Sequence, residues 1–197
     1  FQRLSFIVER SELGEDREKI LSIQIPEKPG SFIRLAKMFG NFQISEFNYR
    51  KSSSSLAYVL VGIRTNTDAS YEALKKRLKK QKYTFDDLTK NEISNDHLRH
   101  MVGGRINHSL NPNIKERIFS TEFPERPRAL LSFLESFGSK WNISLFHYRN
   151  LGSAFGKVLI GIEDGEKNTS KLIKQLGKTK VSFSEETENK AYKKYLR

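Results

Sequence analysis

The hydrophobic positions of the chain follow two periods that alternate along the sequence. Two segments carry apolar residues at the i, i+3, i+4 spacing of an amphipathic helix, namely residues 32–39, ended by Gly40, and residues 71–78. Other segments alternate, or are rich in β-branched and aromatic residues, which predicts strands at 20–25, 42–50, 56–64 and from residue 83 onward. The order βαββαβ is that of a ferredoxin-like module.

The same pattern then returns once. A Pro-x-x-Pro turn precedes the first helix of each half, at Pro26 and Pro124, and a Tyr-Arg pair ends the next strand, at Tyr49 and Tyr148. The turns are 98 positions apart and the tyrosines 99, so we interpret the chain as a tandem duplication. This predicts an α+β fold of two ferredoxin-like modules, with antiparallel sheets and helices on one face. The expected segments are a neck helix at 1–14, module 1 at 15–106 with a connecting helix at 91–101, and module 2 at 107–197. The polar loop at 107–113 marks the boundary between the modules.

The charge of the chain raises one alternative. There are 35 Lys and Arg against 23 Asp and Glu, a formal charge of +12, which invites a nucleic-acid partner. The Phe-Gly-Lys-Val string at 155–158 is a partial echo of the aromatic signature of RNA-recognition modules. Much of the charge falls at 75–82, beside Leu74 and Leu78, which is typical of the solvated face of an amphipathic helix. A basic RNA-binding module is therefore the alternative function.

The sequence contains little that could support catalysis. It has no Cys, which excludes disulfides, Cys-ligated zinc and thiol chemistry. The four His, at 97, 100, 108 and 147, lack the spacing of a metal site, and the carboxylates are expected in surface helices and loops. No apolar run approaches the ~20 residues of a membrane span. We predict no catalytic residue, metal or cofactor in this chain, expect it in the cytoplasm, and expect a fragment, because it begins at Phe1 without an initiator Met.

The repeated turn and the strand that follows it predict a ligand site. A helix N-terminus favours a carboxylate, and Gly30 has no Cβ, so that a ligand can approach the backbone closely. On the strand, alternation places Phe47 and Tyr49 on one face and Glu46, Asn48 and Arg50 on the other. This mixture suits an amino acid with an apolar side chain. The alternative is that Tyr49 and Tyr148 are half-buried strand residues that bond locally.

Several strings also carry a family resemblance. They are Glu-Arg-Ser-Glu-Leu-Gly at 9–14, Ile-Pro-Glu-Lys-Pro-Gly-Ser-Phe at 25–32, Glu-Phe-Asn-Tyr-Arg at 46–50, His-Met-Val-Gly-Gly-Arg at 100–105 and Trp-Asn-Ile-Ser-Leu-Phe-His-Tyr-Arg at 141–149. In order and spacing they resemble the C-terminal regulatory region of biosynthetic threonine ammonia-lyase (threonine deaminase or dehydratase), which consists of two ACT-like amino-acid-sensing domains. The resemblance covers nearly the whole chain.

The resemblance implies a regulatory role. The intact enzyme of that family uses pyridoxal phosphate, in a catalytic domain N-terminal to this region, to convert threonine to 2-oxobutanoate and ammonia. Isoleucine inhibits it, valine relieves the inhibition, and members are typically tetramers. The effector-site tyrosines of the family fall at Tyr49 and Tyr148. Combined with the turn and strand argument, the predicted effector-binding residues are Tyr49, Tyr148, Asn48, His147, Gly30, Ser31, Phe32, Arg128 and Leu130.

One position departs from the family pattern. The turn usually has Gly after its second Pro, as at Gly30, but the second turn has Arg128. A guanidinium stem there could obstruct a ligand or supply a cation for its carboxylate. We therefore predict two non-equivalent sites, and we expect Tyr→Ala replacements at 49 and 148 to weaken effector binding with little change in melting temperature.

Overall fold

A computed structural model describes residues 17–51, 55–96, 114–124, 126, 128–149, 155–165, 169–177, 179 and 181–196. The predicted neck helix, the loop at 107–113 and residues 97–101 of the connecting helix lie outside the described residues. Within the described residues, no helix combines the length and the apolarity that crossing a membrane requires.

Each module follows the predicted order of elements. Module 1 comprises β1 (Glu18–Pro26), α1 (Ser31–Phe39), β2 (Gln43–Arg50), β3 (Leu56–Arg64), α2 (Asp68–Lys80) and β4 (Phe85–Asp87), followed by α3 (Glu92–Asp96). Module 2 comprises β5 (Ile114–Pro124), α4 (Ala129–Phe137), β6 (Ile143–Arg149), β7 (Phe155–Gly165), α5 (Thr169–Leu176) and β8 (Phe183–Glu185), followed by α6 (Lys190–Tyr195).

The eight strands form one continuous sheet in the order β4-β1-β3-β2-β6-β7-β5-β8. Every pairing is antiparallel, and the modules join where β2 pairs with β6. At the centre of that pairing Asn48 lies opposite His147, which is 99 positions further along the chain. This is also the offset of the repeat, so a rotation that exchanges the modules places Asn48 on His147 and His147 on Asn48. The pair therefore marks an approximate two-fold axis between the modules.

The helices α1, α2, α4 and α5 cover one face of the sheet, as predicted, and enclose a single core. Its centre is aromatic and crosses the boundary between the modules. The Phe146 ring of module 2 lies 5.9 Å from Phe32, 5.8 Å from Phe47 and 6.3 Å from Phe133, between ring centroids. Burying a Phe side chain contributes about 1.5–3 kcal/mol. The modules are therefore stabilised by a shared core.

The opposite face is covered in module 2 by α6, whose Tyr192 packs on Ile118 and Leu145. Beneath it lies a buried carboxylate, Glu116, which accepts a hydrogen bond from the Tyr192 hydroxyl at 2.6 Å. The two terminal nitrogens of Arg50, from module 1, reach the same carboxylate at 2.6 and 3.1 Å. The side chains of Arg50 and Glu116 are only 4% and 1% exposed. The expectation that carboxylates occupy the surface is wrong here, because this one is neutralised by a buried arginine.

Candidate functional site: two clefts between the modules

Two clefts lie where the first helix of each module meets the other module. Cleft 1 is lined from module 1 by residues 25–30, Phe32, Ile33 and Tyr49, and from module 2 by Leu134, Gly138, Trp141, Asn142 and Ile143. Cleft 2 is lined from module 2 by Arg126, Arg128, Ala129, Leu130, Leu131 and Tyr148, and from module 1 by Ala36, Phe39, Gly40, Phe42, Gln43 and Ile44. Each cleft therefore has walls from both modules.

The two clefts correspond to each other under the approximate two-fold axis. Tyr49 in cleft 1 matches Tyr148 in cleft 2, and Trp141, which module 2 contributes to cleft 1, matches Phe42, which module 1 contributes to cleft 2. Both pairs have the repeat offset of 99. The repeat of the sequence is thus matched by a pair of equivalent clefts, each completed by the neighbouring module.

The turn that begins each first helix has the same backbone conformation in both modules. Gly30 has φ 82° and Arg128 has φ 65°, both in the left-handed region. In each turn the first helical N–H donates to the carbonyl three residues back, at 3.2 Å in module 1 and 3.0 Å in module 2. No side chain caps α1 or α4, so the partial positive charge of the first turn is available to an anionic group.

Cleft 1 contains a tyrosine–carboxylate pair, in which the Tyr49 hydroxyl donates to Glu27 Oε1. Burial raises the pKa of Glu27, against the opposing effects of this hydrogen bond and of the Lys51 charge. Burial and the Glu27 carboxylate raise the pKa of Tyr49. Tyr49 is therefore a neutral donor, and Glu27 is a poorly solvated carboxylate that a cationic group would stabilise.

A further polar cluster near cleft 1 was not predicted. Glu163 of β7 forms an ion pair with Lys51 and accepts a hydrogen bond from Asn142 Nδ2. The charges of both Glu163 and Lys51 act on Glu27. No sequence pattern signals this cluster, because Lys51 and Glu163 are 112 positions apart and meet only through the β2–β6 pairing.

Cleft 2 has the same turn and tyrosine position as cleft 1, but different polar groups line it. The Tyr148 hydroxyl donates to the main-chain oxygen of Ile44 at 3.3 Å, and its ring stacks on Phe123 at 5.7 Å. The charged residues among its described lining are Arg126 and Arg128. Cleft 2 is therefore basic, whereas cleft 1 combines a carboxylate with a lysine of the turn.

The structure brings six of the nine predicted site residues into the clefts. They are Gly30, Phe32 and Tyr49 in cleft 1, and Arg128, Leu130 and Tyr148 in cleft 2. The other three do not line either cleft. Ser31 is buried, and its hydroxyl accepts a hydrogen bond from Arg34 at 2.8 Å. Asn48 and His147 point to the opposite face of the sheet, because they alternate with residues that face the helices.

The two tyrosines are core residues as well as cleft residues. Tyr49 is 4% exposed and Tyr148 is 1% exposed. Truncating a buried aromatic ring to alanine typically costs about 3–5 kcal/mol. This burial argues against our expectation that alanine replacements would leave the melting temperature unchanged, so phenylalanine is the informative substitution.

Both clefts are nearly closed. Their volumes are about 10 Å³ for cleft 1 and about 20 Å³ for cleft 2, which is room for about one water molecule. A ligand the size of an amino acid can therefore enter only if the walls separate, and those walls belong to different modules.

Comparisons with known proteins agree with this architecture. The family model described as the C-terminal regulatory domain of threonine dehydratase matches residues 9–98 and 108–196. The chain is 36% identical over 197 residues to biosynthetic L-threonine dehydratase of Haemophilus influenzae, and 39% identical over 199 residues to that of Escherichia coli. Both alignments cover 100% of the chain, which spans 37% of the length of each of these curated relatives.

Among solved structures, the small subunit of acetolactate synthase from Thermotoga maritima aligns with 86% of the chain and 94% of its own length. The identity is 17% and the TM-score 0.32. The family itself rests on the sequence match, which extends through both modules. The chain belongs to the family of C-terminal regulatory domains of threonine dehydratase.

Proposed function

We propose that this chain is the allosteric part of a biosynthetic threonine dehydratase, and that its two clefts bind isoleucine, the inhibitor, and valine, the activator. The observation that carries the proposal is the composition of the clefts: each joins the helix-initiating turn and strand tyrosine of one module to a wall from the other. A ligand in either cleft contacts both modules at once, so its affinity depends on how the modules are docked.

The groups of cleft 1 match those of a branched-chain amino acid. The uncapped first turn of α1 suits the carboxylate. Glu27, whose charge is poorly solvated, suits the ammonium group. The apolar side chain packs on Phe32, Leu134 and Trp141, which line the same cleft. In cleft 2 the helix turn is retained and Arg128 stands beside it, where its guanidinium assists a carboxylate.

The closed state of the clefts links binding to conformation. A ligand that fits only when the modules separate shifts the population toward the separated arrangement, by as much as its affinities for the two states differ. Couplings of this kind are typically about 1–3 kcal/mol. Isoleucine and valine differ by one methylene, worth about 1–3 kcal/mol in a pocket. Opposite effects of two such ligands therefore require different preferences for the two clefts or the two arrangements.

The proposal extends to the rest of the enzyme. The catalytic domain precedes this region, holds pyridoxal phosphate and converts threonine to 2-oxobutanoate and ammonia in the isoleucine pathway. The full protein is an oligomer, a tetramer by resemblance to the family, and acts in the cytoplasm. The family match gives the RNA-binding alternative no support.

Calorimetric titration of the chain with isoleucine, valine and, as a control, alanine tests the proposal. We expect saturable heat for the two branched-chain ligands and none for alanine at the same concentration. Tyr49→Phe removes the hydrogen bond to Glu27 while keeping the ring, and should change one of two binding steps. A folded chain that gives no heat with either ligand would contradict the proposed binding of isoleucine and valine. Salt-sensitive retention on RNA would favour the alternative of an RNA-binding module.

A further inference from the structure

A third cavity, much larger than the clefts, lies on module 1. Its volume is about 470 Å³, and it is bounded by β1, α1 and the segment that follows α2. This is within the range of about 300–1,000 Å³ typical of small-molecule sites. It shares Ile25, Pro26 and Lys28 with cleft 1, but its other lining residues are distinct. Unlike the clefts, it can hold a ligand without any separation of the modules.

The charge of this cavity is all of one sign. Four cationic side chains line it, from Lys28, Arg34, Lys37 and Lys82, and none of its twelve described lining residues is a carboxylate. The nearest recorded ion pair joins Lys37 Nζ to Glu135 Oε1 at 4.0 Å. Both of these groups are about half exposed, so this pair is weak. The cavity is therefore an electropositive concavity suited to a multiply charged anion.

The cavity also has an apolar part. Ile25 is buried, and Met38 and Tyr83 are half-buried. Burial raises the pKa of Tyr83, and the Arg34 charge opposes that rise. The half-buried ring of Tyr83 in the cavity wall is a surface on which an aromatic group can stack.

The corresponding positions of module 2 keep only two of the four cations, with Arg126 for Lys28 and Lys180 for Lys82. At the repeat offset of 98, Arg34 becomes Ser132, Lys37 becomes Glu135 and Tyr83 becomes Val181. The neutral Gln24 becomes the acidic Glu122. The set of four cations without a carboxylate is therefore specific to module 1 and is not a necessary feature of the fold.

The backbone at the rim of the cavity is held in a costly conformation. Lys82, in the segment after α2, has φ 60°, a left-handed conformation that is strained for an ordinary side chain. Its N–H donates to the Lys79 carbonyl at 2.9 Å, and the N–H of Tyr83 donates to that of Leu78 at 3.0 Å. A glycine would form the same cap with less strain, whereas the lysine adds a cation to the cavity.

From these observations we infer that the cavity on module 1 binds an organic anion that carries two or more negative charges and an aromatic group, of the class of nucleoside diphosphates. The phosphates contact Lys37, Lys82 and Arg34, and the ring packs on Met38 and Tyr83. This site shares part of one wall with cleft 1, but it does not depend on the ligands proposed for the clefts.

Calorimetric titration of the chain with ADP, adenosine and inorganic pyrophosphate, without any amino acid, tests the inference. We expect ADP to bind at one site per chain, and adenosine and pyrophosphate to bind at least about tenfold more weakly, a difference of 1.4 kcal/mol or more. The double variant Lys37→Ser, Lys82→Asn should weaken ADP binding at least about tenfold. Asn tolerates the left-handed conformation, and both lysines are exposed, so the melting temperature should not fall.

The matched control is Lys171→Ser, Lys174→Asn, which removes two exposed lysines from α5, outside the cavity. It should leave ADP binding unchanged within about twofold. Equal weakening in both double variants would show general attraction to a basic protein and overturn the site. Absence of ADP binding would overturn it as well, and pyrophosphate that binds as tightly as ADP would overturn the role of the apolar part.

Discussion

Clefts 1 and 2 share a frame and differ in chemistry. Both are formed by a left-handed turn, a buried strand tyrosine and a wall from the other module. In cleft 1 the tyrosine donates to a carboxylate, whereas in cleft 2 it donates to a main-chain carbonyl. The difference shows that the two turns share their backbone geometry while the groups that line the clefts have diverged. Two non-equivalent sites are one of the two arrangements that would allow opposite responses to two similar effectors.

The other face of the sheet carries an equivalent pair of buried carboxylates, Glu18 and Glu116. Ser45 Oγ donates to Glu18 in module 1, and Ser144 Oγ donates to the equivalent Glu116 in module 2. Glu116 is also joined to Arg50 across the module boundary. The symmetric sheet therefore carries a charged contact between modules at Glu116.

The largest expected effect comes from breaking this contact with Arg50→Ala. Removal of one partner leaves the other charge buried and uncompensated, which typically costs about 3–5 kcal/mol. The free energy of unfolding, measured with urea, should fall by that amount. Adding Glu116→Gln to the variant should recover part of the loss, because it removes the unpaired charge.

Arg117→Ala is the matched control for this measurement. Arg117 also contacts a carboxylate with two nitrogens, at 3.0 and 2.6 Å from Glu185, but the Glu185 side chain is 42% exposed. Its loss should cost about 1 kcal/mol or less. Equal costs for the two arginine variants would contradict the assignment of Arg50 as a buried link between the modules.

The second prediction compares the two turns directly. Gly30→Ala should cost about 1–2 kcal/mol, because φ 82° is strained for any residue with a Cβ. The added atom would also lie 3.2 Å from Arg34 Nη1 and 3.3 Å from Ser139 Cβ. Arg128→Gly should instead stabilise the chain by up to about 1 kcal/mol, because the strain is relieved.

Urea unfolding of the two turn variants gives the stability changes, and titration with isoleucine gives their effect on binding. Arg128→Gly should change one binding step and leave the other intact. If the two steps changed together, the clefts would not be independent sites. If Arg128→Gly destabilised the chain, the arginine side chain would be contributing more than the strain costs.

The third prediction compares the hydroxyl groups of the two tyrosines. Tyr49→Phe removes a hydrogen bond to a carboxylate, and should cost about 1.5 kcal/mol, the low end for charged partners because Glu27 is only half-buried. Tyr148→Phe removes a longer bond to a carbonyl and should cost about 0.5 kcal/mol. Urea unfolding of both variants checks the order, and a reversed order would show that Glu27 does not depend on Tyr49.

The sequence predicted the elements and the duplication well, because both follow from local periodicity. Helical spacing at Phe32 and Leu35 and the turn at Gly30 define α1 without reference to any other part of the chain. The same local signals placed a tyrosine beside each turn. Periodicity carries no information on which strand pairs with the edge of a module, so the β2–β6 pairing could not be predicted.

That pairing decides the composition of the clefts. Trp141 lines cleft 1 only because β6 lies beside β2. The sequence around Trp141 does not indicate that this residue contacts module 1. Asn48 and His147 failed to reach the clefts for a reason that was visible in the sequence. Strand alternation already separates Asn48 from Tyr49, and proximity along the chain outweighed it in our prediction.

The smallest predicted effect concerns His147, which lies on the approximate two-fold axis opposite Asn48. Burial, with a contribution from the Arg149 charge, lowers the pKa of His147 below 6.5. The unfolded chain therefore binds more protons than the folded chain below about pH 6.5, and stability should decline as the pH falls from there toward the folded pKa. His147→Asn, which copies the residue that module 1 has at this position, should make that decline shallower. Urea unfolding from pH 5 to pH 8 measures it, and identical slopes for both chains would show that His147 is as well solvated in the folded sheet as in the unfolded chain.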